Sequence, residues 1–515
     1  MAVFVDYRAI ALVAGASTVV FLVGLLRRRF FHPLSKFPGP FINSVSWLPN
    51  VVRLLGGKHH VYIKKLHDKY GPVVRVSPNE LSFSNPDAWE DIYGFRSSDE
   101  PMEKDPLWCG SLQHVEADVP ITMAPRRVHT RQRRAFAHSF SNTSLLSQEP
   151  LIQSHVDKFM DQLAGFAAED KPVNMSDWLS FYTLDVISEL CLGSSTGLLA
   201  TGSGTEWSRG IVLAARGALF DQATRRVAGP GTWFHSLLSA YAIPPRYKAA
   251  KLNHFLNTKK RVLPRLADAD ADADHKDFIY YILRNNESKK LLSETEIIVN
   301  MGAFLAAGSD TTALALSALV YLILTHRKVY DKLAAEIRGG MDGVSSAADI
   351  TWARVKDLPY VGAVMNETMR LHSPVLASLL RAVPPRGATI DGHFVPAGTT
   401  VSVPHWTASH SARNWTRPYE FLPERWLEPE AFPDDKLQAS QPFMLGPRGC
   451  IGKNLSLIEQ RLVLCHLLWH FDLELDGGRE AAWRWERDGD EFRHLQAYII
   501  WEKVELMVKP TPVQR

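Results

Sequence analysis

The sequence contains a run of 24 residues, 301–324, that is apolar except for a short polar segment near its centre. As a helix, this run is long enough to span the hydrocarbon core of a membrane. Asp310 argues against that placement, because a carboxylate at mid-bilayer costs about 2.5–3.5 kcal/mol even on insertion scales. Its neighbours in the chain are glycine, serine and threonine, which add polarity. The run therefore predicts a long helix through the centre of a large, mainly helical domain.

A second apolar run covers residues 9–26 and is followed by three arginines, at 27–29. About 18–20 apolar residues are enough to cross a bilayer, and the positively charged flank stays on the cytosolic side. A cleaved signal peptide fits less well, because its charge would precede the apolar stretch. We therefore expect residues 1–29 to form a single-pass signal anchor in the endoplasmic reticulum membrane, with the remaining chain in the cytosol.

Three prolines follow in the segment 30–40, which we expect to be a stiff, non-helical hinge. Residues 41–515 would then form the globular domain. From about residue 130 to 375 the pattern is mainly helical. Residues 376–404 are rich in β-branched residues, proline and glycine, which predicts short strands and turns. The expected fold is thus mainly α with a smaller β-rich part.

Composition narrows the class of protein. Hydrophobic residues make up 46% and charged residues 22%, which is typical of a globular chain. A net charge of +3, without a basic cluster interleaved with aromatics, argues against nucleic-acid binding. Four widely spaced cysteines form no zinc-type pattern and favour a reducing compartment.

One of these cysteines, Cys450, lies in the run Phe-Met-Leu-Gly-Pro-Arg-Gly-Cys-Ile-Gly, residues 443–452. Glycines let the backbone turn sharply and approach a large flat ligand closely, and Arg448 can meet an anionic group. A leucine-rich helical pattern begins near Lys453, so we expect the helix N-terminus to favour the thiolate of Cys450 over the thiol. An inert core cysteine is the alternative interpretation, because cysteine is among the most buried residue types.

The pattern Phe-x-x-Gly-x-Arg-x-Cys-x-Gly resembles the haem-binding loop of the cytochrome P450 family. The resemblance implies haem b as cofactor, with Cys450 as the axial iron ligand, which favours O–O cleavage. It also implies that Phe443, Gly446, Arg448 and Gly452 bind the cofactor. The segments FHPLSKFPGP, residues 31–40, and AYIIWEKVELMVKPTPV, residues 497–513, are similar to the fungal microsomal branch.

The polar segment of the central run, Ala-Gly-Ser-Asp-Thr-Thr at 307–312, resembles the central-helix motif of the same family. By that resemblance Asp310 and Thr311 line the oxygen pocket and help deliver the protons that O–O cleavage requires. An acid and an alcohol with water between them can relay protons. The alternative is a helix whose hydroxyls bond to carbonyls one turn earlier.

Two charged motifs resemble the Glu-x-x-Arg and Pro-x-Arg elements of the family. Glu367 and Arg370 are three residues apart on a helical stretch, so they share one face, and Arg425 follows in Pro-Glu-Arg-Trp. The resemblance implies a buried triad that supports the cysteine loop. Removing one member would strand a charge, at a cost of about 3–5 kcal/mol.

Two further segments resemble contacts to the haem propionates. Arg381 lies in LLRAVPPRGATIDG, which is similar to the segment along the haem edge. Residues 129–134, His-Thr-Arg-Gln-Arg-Arg, resemble a helix that usually carries Trp-x-x-x-Arg. Histidine replaces the tryptophan here, so His129 is a candidate donor and Arg133 the matching arginine. The alternative is an exposed basic face containing Arg131 and Arg134, which could receive an acidic redox partner.

Together these motifs imply a haem-thiolate monooxygenase of the cytochrome P450 fold that oxidises an apolar small molecule, in fungal secondary metabolism. Electrons would come from NADPH through a separate flavoprotein reductase, NADPH-cytochrome P450 reductase, and cytochrome b5 is a second candidate donor. Apolar residues around Leu305 and 375–380 would line the pocket. The alternatives are a haem-thiolate isomerase or dehydratase without a reductase, a monooxygenase that detoxifies foreign compounds, and a non-catalytic haem-binding membrane protein.

Overall fold

A computed structural model of the chain describes residues 7–95, 101–109, 118–267, 276–284, 291–485, 487 and 492–514. The α-helices of these residues are, in chain order, α1 (Tyr7–Phe30), α2 (Phe41–Val45), α3 (Leu48–Leu55), α4 (His59–Tyr70), α5 (Asp87–Tyr93), α6 (Pro106–Cys109), α7 (Arg126–Phe136), α8 (Asn142–Ser147), α9 (Glu149–Ala168), α10 (Met175–Leu192), α11 (Leu198–Thr201), α12 (Glu206–Ala228), α13 (Trp233–Ala242), α14 (Pro245–Ala267), α15 (Phe278–Arg284), α16 (Glu294–Thr325), α17 (Arg327–Gly340), α18 (Trp352–Val355), α19 (Pro359–Leu371), α20 (His405–Ser409), α21 (Lys453–His470) and α22 (Gly478–Trp485). The strands are β1 (Val73–Ser77), β2 (Glu80–Phe83), β3 (Glu103–Lys104), β4 (Val173–Asn174), β5 (Arg381–Ala382), β6 (Ala388–Ile390), β7 (His393–Val395), β8 (Thr400–Ser402), β9 (Phe471–Leu475) and β10 (Met507–Pro512). Helices dominate, as the sequence predicts.

Helix α16 contains the central apolar run and passes through the core. It is long and apolar enough to cross a membrane, but 78% of its most apolar window is buried inside the protein. It begins with a capping box, in which the Ser293 side chain and the Glu296 side chain each accept a hydrogen bond from the other's backbone N–H. The prediction of a core helix is confirmed.

The close packing of α10 on α16 explains one residue of the polar segment. Gly308 lies within an unbroken helix, and a Cβ built there would approach the Ile187 side chain of α10 to 2.8 Å. The glycine therefore makes room for the neighbouring helix.

Three small sheets flank the helices. The largest has the strand order β1-β2-β8-β5-β3, a second has β4-β10-β9, and β6 pairs with β7. The predicted strands of residues 376–404 are β5 to β8. In the largest sheet β3 pairs antiparallel with β5, which places Lys104 opposite Arg381.

The N-terminal segments reach the globular part through the proline-rich stretch. Most of the described large apolar side chains of α1 are exposed, for example Leu12 at 74% and Val20 at 72%. Leu34 and Phe37 are buried in the core of the largest sheet, and the backbone N–H of Arg75 donates to the carbonyl of Pro38 at 2.7 Å. The proline-rich stretch is therefore docked on β1.

Candidate active site

Cys450 lies on a loop whose shape depends on two backbone features. Its N–H donates to the carbonyl of Phe443 at 2.8 Å, which closes the loop just before α21 begins at Lys453. Gly446 has φ +66°, and a Cβ there would collide with the carbonyl oxygen of Tyr93 at the end of α5. Only glycine combines that conformation with that close approach.

Gly452 has no such requirement. Its φ is −88°, and the nearest protein atom to a Cβ there is in the Phe140 ring, 3.9 Å away. A need for glycine at 452 would have to come from a bound group. Phe443 is partly buried against the main core, with the Lys453 ammonium 5.9 Å from its ring centroid.

The thiol of Cys450 differs from those of the other three cysteines, which are buried. Cys450 is an exposed residue, yet the surrounding protein desolvates its thiol enough to raise the pKa, against the lowering effects of the Gly452 backbone N–H, Arg133 and Lys453. In the chain itself, desolvation therefore outweighs the effect of the helix N-terminus, which the sequence led us to expect would favour the thiolate of Cys450. A coordinating metal deprotonates a thiol outright.

Arg448 and Arg133 hold the cysteine loop to its neighbours. Arg448 donates to the carbonyl of Ala124 at 2.9 Å and pairs with the Glu103 carboxylate at 3.2 Å. Arg133 donates to the carbonyl of Gly449 at 2.7 Å. Arg133 thus reaches the loop from α7, and Arg448 lies within the loop itself.

Three more basic groups converge on the same place. Arg381 is buried, with its guanidinium 5.0 Å from the Tyr93 ring centroid, and burial lowers its pKa to about 10. Burial, then repulsion from Arg381 and Arg448, holds the pKa of Lys104 well below its usual range. Burial, then the nearby cations led by Arg448, lowers the pKa of His129 to about 3.

The sequence did not reveal that Lys104 and Glu103 lie beside these basic groups. They form a two-residue strand in a segment without a motif, and only the pairing of β3 with β5 brings them to Arg381. Among the described residues, Glu103 is the carboxylate that offsets the repulsion. We call Lys104, His129, Arg133, Arg381 and Arg448 the cation cluster.

The acid of the central helix has a partner that the sequence did not reveal. Asp310 is buried, and its carboxylate lies 3.0 Å from the ammonium of Lys503 in the C-terminal segment. Nothing in the local pattern of either residue predicts this pair, because it joins segments far apart in the chain.

The hydroxyls beside Asp310 follow the alternative interpretation of the motif. Thr311 donates to the carbonyl of Ala307 at 2.6 Å, and Ser309 donates to that of Leu305 at 2.8 Å. Each donor is thus satisfied one turn earlier in the helix. A hydroxyl oxygen still has lone pairs with which to accept a hydrogen bond.

The structure brings Glu367, Arg370 and Arg425 into direct contact, and all three side chains are fully buried. The Glu367 carboxylate accepts two hydrogen bonds from Arg370, both at 2.8 Å, and one from Arg425 at 3.0 Å. Burial acts to raise the pKa of Glu367, but attraction and hydrogen bonds from Arg370 and then Arg425 lower it overall.

Two further residues complete this charged cluster. Asp435 forms an ion pair with Arg425 and is nearly as buried, so the cluster holds two carboxylates and two guanidiniums. Trp426 donates its indole N–H to Glu367 at 2.9 Å. Trp426 follows Arg425 in the motif, whereas Asp435 lies ten residues further on with no recognisable signal.

Arg131 of α7 is partly exposed, at 36% of its side chain, and its guanidinium is paired with both carboxylate oxygens of Glu296 at 2.5 and 2.7 Å. Hydrogen bonding to Glu296, and then the attraction between the two charges, raises the pKa of Arg131, and the pair ties α7 to the start of α16. Arg134, by contrast, is exposed.

Comparison with known proteins gives the family of this chain. The family model described as Cytochrome P450 matches residues 33–483. The chain belongs to the cytochrome P450 family. It is 47% identical over 98% of its length to "Cytochrome P450 monooxygenase aba2" of Botryotinia fuckeliana, covering 95% of that protein. It is 43% identical to "Cytochrome P450 monooxygenase ABA2" of Pyricularia oryzae, over 96% of this chain and 95% of that one, and 37% identical to "Cytochrome P450 monooxygenase prhB" of Penicillium brasilianum, over 96% and 97%.

This P450 is accordingly an oxidoreductase that incorporates oxygen, and the family implies haem b and electrons from a redox partner. The residues present fit that cofactor. The exposed residue Cys450 lies beside the cation cluster, in which burial and then repulsion between cations depress the pKa of Lys104 and of His129. Two propionates would remove this repulsion, because an opposite charge within a few ångströms favours the charged form of a base.

Proposed function

We propose that this P450 is a membrane-attached monooxygenase that inserts one atom of dioxygen into an apolar small molecule, with NADPH as the electron source. The overall reaction converts the substrate, O₂, NADPH and one proton into the oxygenated product, water and NADP⁺. The observation that carries the proposal is the exposed residue Cys450, which lies beside the cation cluster.

The cofactor would be held by two sets of residues. Cys450 would ligate the iron, with Phe443, Gly446 and Gly452 forming the adjacent loop, and the cation cluster would bind the propionates. The bound haem supplies the iron that activates dioxygen, and a thiolate ligand favours O–O cleavage. The buried cluster of Glu367, Arg370 and Arg425 would have a structural role and would support the cysteine loop.

Asp310 and Thr311 are the proposed proton-handling residues. The Asp310 carboxyl would release a proton, and the Thr311 oxygen would accept a hydrogen bond from the intervening water. Its own O–H is occupied by the Ala307 carbonyl, which fixes the orientation of the hydroxyl. A haem-thiolate isomerase or dehydratase has no need of such a pair, because it consumes no dioxygen.

Exposed apolar residues support membrane attachment. Outside α1 they include Phe31 at 83%, Phe41 at 52% and Leu48 at 60% exposure, close in the chain to α1 and its three arginines. A helix with exposed leucines and valines is stable in hydrocarbon, where its backbone groups are satisfied internally. The proposed location is the endoplasmic reticulum membrane, crossed once by residues 1–29, with the catalytic domain, residues 41–515, in the cytosol after the hinge of residues 30–40.

The electron donor would be NADPH-cytochrome P450 reductase, with cytochrome b5 as a second donor. Exposed Arg134 lies one residue after Arg133 and therefore close to the cysteine loop, where a negatively charged partner surface would be attracted. The substrate belongs to fungal secondary metabolism in this proposal, because the relatives above are fungal monooxygenases.

A carbon-monoxide difference spectrum of the reduced protein tests the cofactor assignment. We expect the red-shifted band of thiolate ligation in the wild type and its loss in Cys450→Ala. Cys465→Ala is the matched control, because Cys465 is buried in α21, and it should keep the band. A second assay supplies reductase, NADPH and ¹⁸O₂ with terpenoid, polyketide and aromatic compounds. A product carrying one ¹⁸O supports the proposal, whereas conversion without NADPH or label supports the isomerase alternative.

A further inference from the structure

One side-chain hydrogen bond joins the core helix to the helix that follows the cysteine loop. The hydroxyl oxygens of Thr312 in α16 and Ser456 in α21 lie 3.1 Å apart. We propose that Thr312 and Ser456 are positioning residues that fix the first turn of α21 against α16. They thereby maintain the hydrogen bond to the Cys450 sulfur on which the reduction potential of the bound haem depends. This inference rests on the proposed haem-thiolate function.

The Thr312 hydroxyl differs from those of its neighbours in α16. Ser309, Thr311 and Ser317 each donate to a carbonyl one turn earlier, at 2.6–2.8 Å. Thr312 is buried and bonds across to Ser456. Because a buried hydroxyl that loses its partner is destabilising, this bond opposes any sliding of α21 along α16.

Ser456 is also held by its own helix. Its hydroxyl oxygen accepts a hydrogen bond from the side-chain amide of Gln460 at 3.0 Å, and Gln460 is buried. A serine hydroxyl has one hydrogen to donate and two lone pairs, so Ser456 can bond to Gln460 and to Thr312 at the same time. These two partners fix the orientation of the Ser456 side chain.

Ser456 lies one turn into α21 and connects to the end of the cysteine loop. Its backbone N–H donates to the carbonyl of Gly452 at 3.0 Å, and Gly452 is the residue just before the helix begins. The backbone N–H of Gly452 donates in turn to the Cys450 sulfur. Gly452 is therefore held between the sulfur and Ser456, and a shift of this turn would move the N–H away from the sulfur.

The position of that N–H matters for a ligating sulfur. Hydrogen bonds to a metal-bound sulfur are one means by which a protein sets the reduction potential of the metal. A donor withdraws electron density from the thiolate, which favours the reduced form of the iron, so losing the donor lowers the potential. Because Thr312 and Ser456 act through Gly452, we expect a modest change of about threefold in the equilibrium constant for one-electron reduction, which is about 28 mV.

A redox titration of the full-length, haem-loaded protein measures the potential without an identified substrate. The variants Ser456→Ala and Thr312→Val each remove one hydroxyl, whereas Thr312→Ser keeps it. Ser317→Ala is the matched control, because it removes another buried hydroxyl of α16, one that donates to a carbonyl of its own helix. We expect the lowered potential in Ser456→Ala and Thr312→Val, and the wild-type potential in Thr312→Ser and Ser317→Ala.

Resonance Raman spectroscopy gives a second measurement on the same samples. A thiolate without its donor binds iron more strongly, so the iron–sulfur stretching frequency should rise in Ser456→Ala and Thr312→Val and stay unchanged in Ser317→Ala. Both measurements report on haem-loaded molecules alone, so they remain valid when a variant binds less haem.

A double variant tests whether the two hydroxyls act through one bond. Ser456→Ala combined with Thr312→Val should have the same potential as either single variant, because the bond is already absent. The inference is refuted if Ser456→Ala and Thr312→Val match Ser317→Ala in potential and stretching frequency, or if their two shifts add in the double variant. A wild type without the carbon-monoxide band would refute the proposed cofactor site instead.

Discussion

Replacing Glu367 by glutamine keeps the shape of the side chain and removes one charge from a fully buried cluster. The carboxylate accepts five hydrogen bonds: two from Arg370 and one each from Arg425, the Leu422 backbone N–H and the Trp426 indole. Glutamine offers one oxygen and one NH₂ group, and the NH₂ group meets N–H donors in either orientation. At least two of the five bonds are therefore lost.

The size of the expected loss of stability follows from the partners that Arg370 and Arg425 keep after the substitution. Arg425 keeps its ion pair with Asp435. Arg370 keeps three backbone carbonyls, at 2.7–3.1 Å, and no carboxylate. Stranding a charge in a buried ion pair costs about 3–5 kcal/mol, which is a large share of the 5–15 kcal/mol by which proteins are typically stable. We expect Glu367→Gln to lose about this much and to retain little haem.

Urea unfolding followed by tryptophan fluorescence measures the loss, with Glu420→Gln as the matched control. The Glu420 carboxylate pairs with Arg417 at 3.1 Å, and both side chains are at least half exposed, so its loss should cost at most about 1 kcal/mol. A Glu367→Gln variant as stable as Glu420→Gln would show that the buried charge is not what holds this region together.

The pH dependence of the stability of the wild type and of Glu367→Gln gives an independent check. Because the pKa of Glu367 is lowered in the folded state, its contribution is complete above the unfolded value, about 4.3. That contribution is lost as the pH falls through the folded value. Protonated glutamate resembles glutamine, so the stability difference between wild type and Glu367→Gln should be full at pH 7 and shrink below about pH 4. A difference that stays constant down to the acid-unfolding limit would contradict the charge explanation.

Two further predictions concern the cysteine loop and the N-terminus. Gly446→Ala should abolish the carbon-monoxide band, because a left-handed alanine costs about 1–2 kcal/mol and its Cβ would also collide with the Tyr93 carbonyl. Gly452→Ala, whose Cβ would make only an ordinary contact with the Phe140 ring at 3.9 Å, should fold with wild-type thermal stability. Equal behaviour of the two variants would contradict this account. Removing residues 1–29 should release the protein from membranes washed with alkaline carbonate, while the full chain stays in the pellet; extraction of the full chain would exclude the anchor.

Local patterns were enough to predict the helical framework and the elements that carry the motifs. The core helix, the strands of residues 376–404 and the helix after Cys450 each depend on periodicity or turn residues within one segment, and all are present. The contact between Glu367 and Arg370 is likewise local, because residues three apart on a helix share a face.

Features that depend on long-range pairing could not be predicted in the same way. Lys104 joins the cation cluster through the register of β3 on β5, and Asp310 meets Lys503 through the path of the C-terminal segment. Arg131 shows the same limitation, because its partner Glu296 caps a helix that begins far along the chain. In each case the sequence shows a charge without showing which other charge it meets.

The departure at residue 129 shows how such long-range contacts change the meaning of a motif position. Buried among cations, His129 has a pKa of about 3 in the chain itself, so at neutral pH it contributes no positive charge. Binding of two carboxylates beside it would oppose the repulsion from Arg448 and Lys104 and raise that pKa. In either state a ring N–H can donate to a propionate oxygen. In the proposed haem site, His129 would therefore replace the hydrogen-bond donor of a tryptophan at this position, while charge neutralisation would fall to Arg133, Arg381 and Arg448.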